Sequence, residues 1–465
     1  MPSLAIESYL NYRHPEVNGG LFRQHGFGRL YEVLEDVLDA ANELGLQHFI
    51  NNAKVEFDEI NLISSLRADS VLVTEDASAC VFIDYECHLL FMEFCMNGIG
   101  IASTLERMAC QQYFCGDYEI ALRLRLLRDY EELFCSPANS FDSSVIPVFG
   151  EAFAMSSLTS HEIGHVFYFC QNRIDGGGAI DSLNLVSMAT KATSQFAEDW
   201  ALMESLPNSF RSSLLNYDAS CLDDVLLEEI YCDACGTDIK HRIFHWSDGQ
   251  DVHYAEALLG VVLVSAFSFW KNSTKLDVRF KNDESLRAEL HQCKLRYSTV
   301  VRAGLAGKDV ISVGSTLAKK IWRHIEEEKE TLKNDDQKFY LDISFNVFGV
   351  GQSSDAGYEF VPAWAFLVYC DFIYFSFSSK AMEVFRKCAE LVASDSFSSH
   401  LECIRNEEEA LASFLHLSQM DQLVDFQVLQ GVVDRLPISE EIPLPTWVPL
   451  IYQVAGAVFL AGQDE

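Results

Sequence analysis

Two histidines and a glutamate lie within one short segment of the chain, residues 156–169, whose sequence is SSLTSHEIGHVFYF. His161 and His165 are four residues apart, and residues at this spacing lie one above the other on the same face of a helix. Their neutral imidazole nitrogens suit Zn²⁺ at about 2.0–2.1 Å. Glu162 lies about 100° further round the helix, where it can reach a water on the metal as general base. The segment therefore predicts a site for one zinc ion.

The residues around this motif indicate that its helix is buried. Two imidazoles and a carboxylate are costly to bury without partners, and a metal ion would satisfy them. The alternative interpretation is an ordinary helix that carries two histidines on a partly exposed face. The prediction of burial rests on the apolar residues near the motif, which are Phe153, Leu158, Ile163, Val166, Phe167 and Phe169.

A catalytic zinc ion usually has three protein ligands and one open position, so a third ligand is expected further along the chain. The segment LLEEIYCDACG, residues 226–236, contains Glu229 with Asp233 four residues later. Glu229 is predicted to bind the zinc ion. Asp233, one turn on, is predicted to accept a hydrogen bond from a ligand imidazole. Glu198, in QFAEDW, is the alternative third ligand.

The sequence HEIGH followed at a distance by ExxxD resembles the gluzincin metallopeptidases, which include thermolysin-like enzymes and the heat-shock and CAAX-prenyl membrane proteases. The resemblance covers at most about half of the chain, from near Ser70 to about residue 300. It implies a zincin-like catalytic core with His161, His165 and Glu229 as ligands. The chain departs from these families in two ways: it has no multiple membrane spans, and no NExxSD sequence surrounds Glu229.

A hydrogen-bond donor is expected to meet the oxyanion that develops during hydrolysis. Some gluzincins carry a histidine followed by an arginine on a late helix, and the segment HQCKLRYSTV, residues 291–300, is similar. His291 and Tyr297 are the catalytic candidates taken from this segment. The further candidates for this role are Arg296, His241, His245 and His253.

These residues together predict an endopeptidase in which a metal-activated water attacks a peptide bond and Glu162 removes its proton. A protein or peptide is the expected substrate. The large region outside the catalytic core suggests a selective or regulated enzyme, with an activating partner as one means of regulation. Two alternatives use the same residues: an interaction or sensor protein with a structural or inactive zinc site, and a metal hydrolase that acts on a non-peptide amide.

Hydrophobic periodicity predicts a chain that is mainly helical, with the motif helix ending at the DGGG run of residues 175–178. Three segments between residues 70 and 94 (SVLVTED, ACVFIDY and HLLFMEF) are predicted as strands. One of them is expected to hold substrate along its edge. The predicted helices cover residues 28–49, 98–135, 151–172, 192–206, 222–242, 254–271, 284–303 and 316–333.

The expected fold class is therefore mainly α with a small β-sheet (α+β). Its expected divisions are an N-terminal helical region (residues 1–69), a zincin-like metallopeptidase core (70–335) and a helical C-terminal region of unknown role (336–465). The run KNDDQ, residues 333–337, suggests the second boundary.

The composition narrows the class of partner and the compartment. The chain has 34 Lys and Arg against 69 Asp and Glu, a formal net charge of −35, which disfavours nucleic acid. Its 14 cysteines follow no disulfide framework; in particular, Cys232 and Cys235 are predicted to be small core residues. We expect no secretory signal at the start and no membrane span, with Ala257–Trp270 as a buried core helix. The expected location is the cytoplasm.

Overall fold

The fold is described by a computed structural model. It covers residues 28–57, 61–63, 70–75, 78–95, 123, 150–175, 178–200, 208–248, 253–274, 283–330 and 357–392. In chain order, the helices of this part are α1 (Gly28–Glu43), α2 (Leu46–Ala53), α3 (Tyr85–Cys95), α4 (Gly150–Asp175), α5 (Gly178–Trp200), α6 (Asn208–Leu215), α7 (Asp224–Asp248), α8 (Tyr254–Thr274), α9 (Asp283–Leu305), α10 (Ser315–Glu330) and α11 (Ala363–Val392).

The described strands form two small sheets. In the first, β4 pairs in parallel with β1 and β2 and antiparallel with β3, with Val71 opposite Phe82. In the second, β5 and β6 pair antiparallel. The expectation of a mainly helical chain with a small sheet is thus confirmed, and a second sheet is added. The strands are β1 (Glu56–Phe57), β2 (Asn61–Ile63), β3 (Val71–Glu75), β4 (Ser78–Asp84), β5 (Val310–Gly314) and β6 (Tyr358–Pro362).

The motif helix α4 lies between two hydrophobic clusters. One cluster takes Phe153 and Leu158 from it and is built mainly with α8, α9 and α11. The other takes Ile163 and Val166 and is built with α1, α2 and β4. Because apolar residues occur on both sides of α4, burial of the helix removes both faces from water. This burial confirms the expectation of a central helix.

Two glycines allow α4 and α7 to approach closely. A Cβ atom on Gly164 would lie 2.6 Å from the carbonyl oxygen of Cys232, and one on Gly236 would lie 3.2 Å from the backbone nitrogen of His161. Neither position has room for a larger residue without a shift of backbone. Gly164 therefore lets α7 approach closely beside the two histidines.

The most apolar helix, α8, packs against α11, α9 and α7. Its segment Tyr254–Ser273 is long and apolar enough to cross a bilayer by length and composition, and 78% of its most apolar window is buried inside the protein. Such burial is typical of a core helix, and a core helix was expected here.

Elements on both sides of residue 336 pack together. Strand β6 pairs with β5, and α11 packs against α8 and α9 in the larger cluster. At the other end, α1 and α2 pack on α4. Residues 393–465 lie outside the described part of the chain, as does most of the predicted helix at 98–135.

One predicted strand is wrong. The segment HLLFMEF belongs to helix α3, which begins at Tyr85 directly after β4. Its residues Leu90, Phe91 and Phe94 are buried in the larger cluster. A short continuous apolar run fits a buried strand and a buried helix equally well, and here contacts with α4 and α8 favour the helix.

Candidate metal centre

Three of the predicted ligands converge. His161 and His165, from α4, and Glu229, from α7, each offer one ligand atom, and these atoms all lie within 4.8 Å of one another. The two imidazole rings are 5.0 Å apart between centroids and nearly perpendicular, at 85°. A group of this kind could hold a metal ion. The rival acid, Glu198, is exposed on α5 and lies outside the group.

The two imidazoles are oriented in the same way. Nδ1 of His161 lies 2.9 Å from Oδ1 of Asp233, and Nδ1 of His165 lies 2.9 Å from Oε1 of Glu228. Since a carboxylate only accepts hydrogen bonds, these contacts make each Nδ1 the protonated nitrogen. The Nε2 atoms face Glu229, at 3.4 Å from Oε2 for His161 and 3.8 Å from Oε1 for His165. Both Nε2 atoms therefore lie on the side of the third ligand.

Helix α7 thus supplies carboxylates for both histidines. Asp233 was predicted as a hydrogen-bond partner of a ligand imidazole, and the structure gives it that contact with His161. Glu228 was not predicted, because only its neighbour Glu229 has an aspartate four residues later. The adjacent acids Glu228 and Glu229 lie about 100° apart on the helix, so one reaches Nδ1 of His165 while the other faces both rings.

Arg296, from α9, contacts Asp233, Glu229 and His161. Its Nε donates to Oδ2 of Asp233 at 2.5 Å and its Nη2 to Oδ1 at 2.9 Å, while Nη1 lies 2.7 Å from Oε2 of Glu229. Nη2 also lies 3.3 and 3.4 Å from the two ring nitrogens of His161. Arg296 is 6% exposed. Its guanidinium therefore holds in place Glu229, a predicted ligand, and Asp233, the hydrogen-bond partner of the ligand His161.

The ionisable groups of the centre shift one another's pKa values. Burial alone would lower the pKa of His165, but the hydrogen bond with Glu228 and the charges of Glu229 and Glu162 raise it to about 9. Burial opposes ionisation of Glu229, yet the charge of Arg296 holds the pKa of that carboxyl below its usual value. Arg296 likewise holds the pKa of Asp233 far below its usual range. Glu229 and Asp233 are therefore charged at neutral pH.

The centre opens into a cavity of about 570 Å³. Each element contributes one face to its wall. Helix α4 contributes residues at helical spacing, Leu158, His161, Glu162, His165, Tyr168, Phe169 and Asn172. Alternate residues of β3 and its flank, Ser70, Leu72 and Thr74, line a second wall, and α8 lines a third through Val264, Phe267, Ser268 and Lys271. Glu162, 7% exposed, therefore shares one cavity with the possible ligands.

The structure does not bring the two predicted oxyanion donors into this cavity. Tyr297 is buried on another side of α9, where its hydroxyl donates to Asp371 at 2.6 Å, and His291 is exposed on the same helix. Their neighbour Arg296 lines the cavity instead. Two of the further candidates also lie elsewhere: His241 packs on Tyr254, and His253 pairs with Glu256 at 2.5 Å. The side chain of His245 lies outside the described ones.

The CxxC pair belongs to the packing of α7. Cys232 is fully buried and Cys235 is half-buried, and both are free thiols. Burial raises the pKa of Cys235 to about 12 and that of Cys232 well above its usual value. A protonated thiol is a poor metal ligand, so these cysteines behave as the core residues that the sequence predicted.

The chemistry of the donors fits a divalent metal. Two imidazole nitrogens and one carboxylate are a ligand set used by catalytic zinc. Four carboxylates surround the imidazoles, from Glu162, Glu228, Glu229 and Asp233, against the one guanidinium of Arg296. This excess of negative charge favours a bound cation.

Comparisons of the chain with protein-family models, with curated proteins and with solved structures give no match.

Proposed function

We propose that this chain is a zinc-dependent endopeptidase in which His161, His165 and Glu229 hold one zinc ion and Glu162 is the general base. One observation carries the proposal: both Nε2 atoms face Glu229 while a carboxylate accepts from each Nδ1. Such carboxylate partners set the tautomer of a metal-binding histidine and increase its basicity. The arrangement resembles the gluzincin sites that the motif suggested.

Each residue of the centre has a separate role in hydrolysis. When bound, zinc would supply Lewis-acid chemistry, lowering the pKa of a coordinated water and polarising a carbonyl. Glu162 accepts a proton from the attacking water and delivers it to the leaving nitrogen. Arg296 keeps Glu229 in place through the contact of 2.7 Å. Because its guanidinium lines the cavity, it is also the candidate donor to the developing oxyanion.

Strand β3 supports a peptide as the substrate. Among the described strands it pairs only with β4, so one edge of its backbone has no partner strand there. Ser70, Leu72 and Thr74 of this segment line the cavity. An extended peptide can add to such an edge through backbone hydrogen bonds, and it would then lie beside the strand whose side chains line the cavity.

We also propose that the enzyme works in the cytoplasm on protein or peptide substrates, without nucleic acid. All nine cysteines that the structure describes are free thiols, as expected in a reducing compartment. The net charge of −35 opposes the approach of phosphate backbones. Selectivity or activation by a partner is part of the proposal, because much of the chain lies outside the elements that line the cavity.

Metal analysis combined with one substitution tests the proposal. The purified chain should contain about one zinc ion, and Glu162→Gln should keep the ion, because Glu162 is not a ligand. Cleavage of a peptide mixture should fall by about 10²–10⁴-fold in Glu162→Gln, the usual contribution of a general base. His161→Ala should lose the ion as well as the activity. Glu198→Gln, exposed on α5, is the matched control and should change neither.

Two results would contradict this function. If the purified chain binds no zinc, the proposed metal site is wrong. If Glu162→Gln is as active as the unmodified protein, Glu162 is not the general base. A chain that binds zinc but cleaves no protein or peptide would favour the alternative, an interaction or sensor protein with a structural site.

A further inference from the structure

The apolar lining of the cavity has a buried part and a half-exposed part. The buried part is Leu158 of α4 with Val264 and Phe267 of α8, which are 5%, 3% and 2% exposed. All three belong to the larger hydrophobic cluster. Their apolar surface is already covered by the protein, so a substrate would gain little by packing on it.

The half-exposed part is formed by Leu72 of β3 with Tyr168 and Phe169 of α4, and we call these three residues the apolar shelf. Each of them lines the cavity, each is half-buried, and each packs against the smaller hydrophobic cluster. Covering apolar surface that still faces water is favourable. The shelf, unlike the buried part, can therefore contribute to the binding of a ligand.

The residues of the shelf are held in place by several neighbouring groups. The ring of Tyr168 lies 5.4 Å from the ring of Tyr231, between centroids, and Tyr231 of α7 is 8% exposed. The guanidinium of Arg173 lies 5.6 Å from the ring centroid of Phe169. Leu72 belongs to a strand that is paired with β4. A surface that is already ordered loses little freedom when a ligand binds to it.

The shelf is continuous with the metal centre. Tyr168 and Phe169 follow His165 by three and four residues, which is one turn of α4 or about 5 Å along its axis. An extended peptide advances about 3.3 Å per residue, so the shelf lies about one or two residues from a bond held at the histidines. Leu158 precedes His161 by three residues, so the buried part lies on the opposite side of the metal centre.

We propose that the apolar shelf is a specificity site, which selects substrates with a bulky aliphatic or aromatic side chain on one side of the scissile bond. The inference rests on the proposed peptidase function and adds its substrate class. A peptide that lies along β3 passes Leu72 and packs this side chain on the rings of Tyr168 and Phe169. A charged side chain at the same position would lose its water against the rings, which is unfavourable.

Cleavage-site profiling tests the inference. The zinc-loaded full-length chain is incubated with a proteome-derived peptide mixture, and the cleaved bonds are read by mass spectrometry. The unmodified chain should enrich bulky apolar residues at one fixed position within two residues of the cleaved bond. Tyr168→Ala should lose most of this enrichment and still cleave, whereas Tyr168→Phe keeps the ring and should retain it. Phe360→Ala, 42% exposed on β6 and outside the cavity lining, is the control and should keep the original preference.

Matched synthetic peptides measure the contact itself. A Phe-to-Ala exchange at the enriched position should lower kcat/KM by about ten- to a hundredfold for the unmodified chain, as expected when such a side chain is no longer buried. The same exchange should have a smaller effect on Tyr168→Ala. Leu72→Thr keeps a residue suited to a strand and removes apolar surface from the other element, so it should weaken the preference as well. Thermal unfolding of each variant checks its fold.

The outcomes distinguish this inference from the function on which it rests. Cleavage by the unmodified chain with no apolar preference, or an unchanged preference in both Tyr168→Ala and Leu72→Thr, overturns the role of the shelf and leaves the peptidase intact. Loss of the preference in Tyr168→Phe would assign it to the hydroxyl group and would also overturn that role. Absence of any cleavage by the zinc-loaded chain overturns the peptidase and the inference together.

Discussion

The orientation of the two imidazoles is decided by single hydrogen bonds. Asp233 and Glu228 accept from Nδ1 of His161 and His165 at 2.9 Å each. If either carboxylate were absent, its ring could turn or change tautomer, and Nε2 would no longer be held towards Glu229. Metal affinity therefore depends on residues that do not themselves touch the ion.

Glu228→Ala tests this dependence on a residue that the structure alone brings to the centre. We expect zinc affinity to fall by about 10–100-fold, the usual effect of removing a carboxylate partner from a ligand histidine. Competition with a chelating dye measures the change. Glu198→Gln, an acid on the exposed face of α5, should keep the original affinity. Equal losses in the two variants would indicate a general effect of charge and contradict a specific role of Glu228.

The sequence could predict those site residues that share a helix at a recognisable spacing. His161 with His165, and Glu229 with Asp233, are pairs at i and i+4, so each pair has a local signature. Arg296 has none, since its role depends on which face of α9 meets α7. It was considered as a donor because the segment HQCKLRYSTV is similar to a late helix of some gluzincins, and the structure shows that Arg296 and its neighbour Tyr297 face different surroundings.

At the scale of elements, the geometry of the centre depends on how closely α4 and α7 cross. The possible ligands are divided between these two helices, so any increase in their separation moves Glu229 away from the imidazoles. The crossing is close because Gly164 lies against the backbone of Cys232 and Gly236 against that of His161.

Gly164→Ala should therefore disturb stability and metal binding together. The added Cβ would lie 2.6 Å from a backbone oxygen, and overpacking of this kind destabilises by about 1–3 kcal/mol. Urea unfolding should show this loss, and zinc affinity should fall in the same variant. The control is Gly314→Ala in β5, where the nearest atom to an added Cβ is 3.6 Å away. An unchanged zinc affinity in a destabilised Gly164→Ala would show that the crossing does not set the ligand geometry.

Element boundaries were predictable where glycine or a clear period marks them. The motif helix ends at Asp175, before the glycines of the DGGG run, because successive glycines have high backbone entropy. The predicted helix at 28–49 is instead two helices, divided at Gly45, whose φ is +95°. For α3, the apolar run has no hydrophobic period that distinguishes a strand from a helix. Its packing against other helices determines that it is a helix.

At the scale of the whole molecule, one buried lysine connects three helices. Lys240 of α7 is 1% exposed, and its Nζ donates to the carbonyl oxygen of Ala257 in α8 at 2.7 Å and to Oγ of Ser157 in α4 at 3.3 Å. Gly260 leaves room for it, since a Cβ there would lie 1.9 Å from Nζ. Burial lowers the pKa of Lys240 to about 7, against the opposing charge of Asp233.

This lysine should give the fold a pH dependence in the alkaline range. Its pKa is about 7 when folded and has the ordinary value of 10.5 when unfolded. Between these values the unfolded chain binds the extra proton, so stability rises with pH. Each pKa unit corresponds to about 1.4 kcal/mol, so the free energy of unfolding should rise by a few kcal/mol from pH 7 to pH 10, relative to Lys240→Met.

Urea unfolding of the unmodified chain and of Lys240→Met at both pH values measures this difference. Other groups that titrate in this range are common to the two proteins and cancel in the comparison. Lys319→Met, which removes an exposed lysine, should follow the unmodified chain. Parallel pH profiles for the unmodified chain and Lys240→Met would show that the amine is protonated throughout, which would contradict the lowered pKa.

The position of α4 between two hydrophobic clusters has a consequence for hydrogen exchange. Backbone amides of residues 158–167 lie in a helix packed against both clusters, so we expect their exchange to be slow and to report global unfolding. The ligand pair of α4 therefore belongs to the last part of the protein to open. A metal ion could then leave and return through the cavity while the two histidine ligands keep their positions on the folded helix.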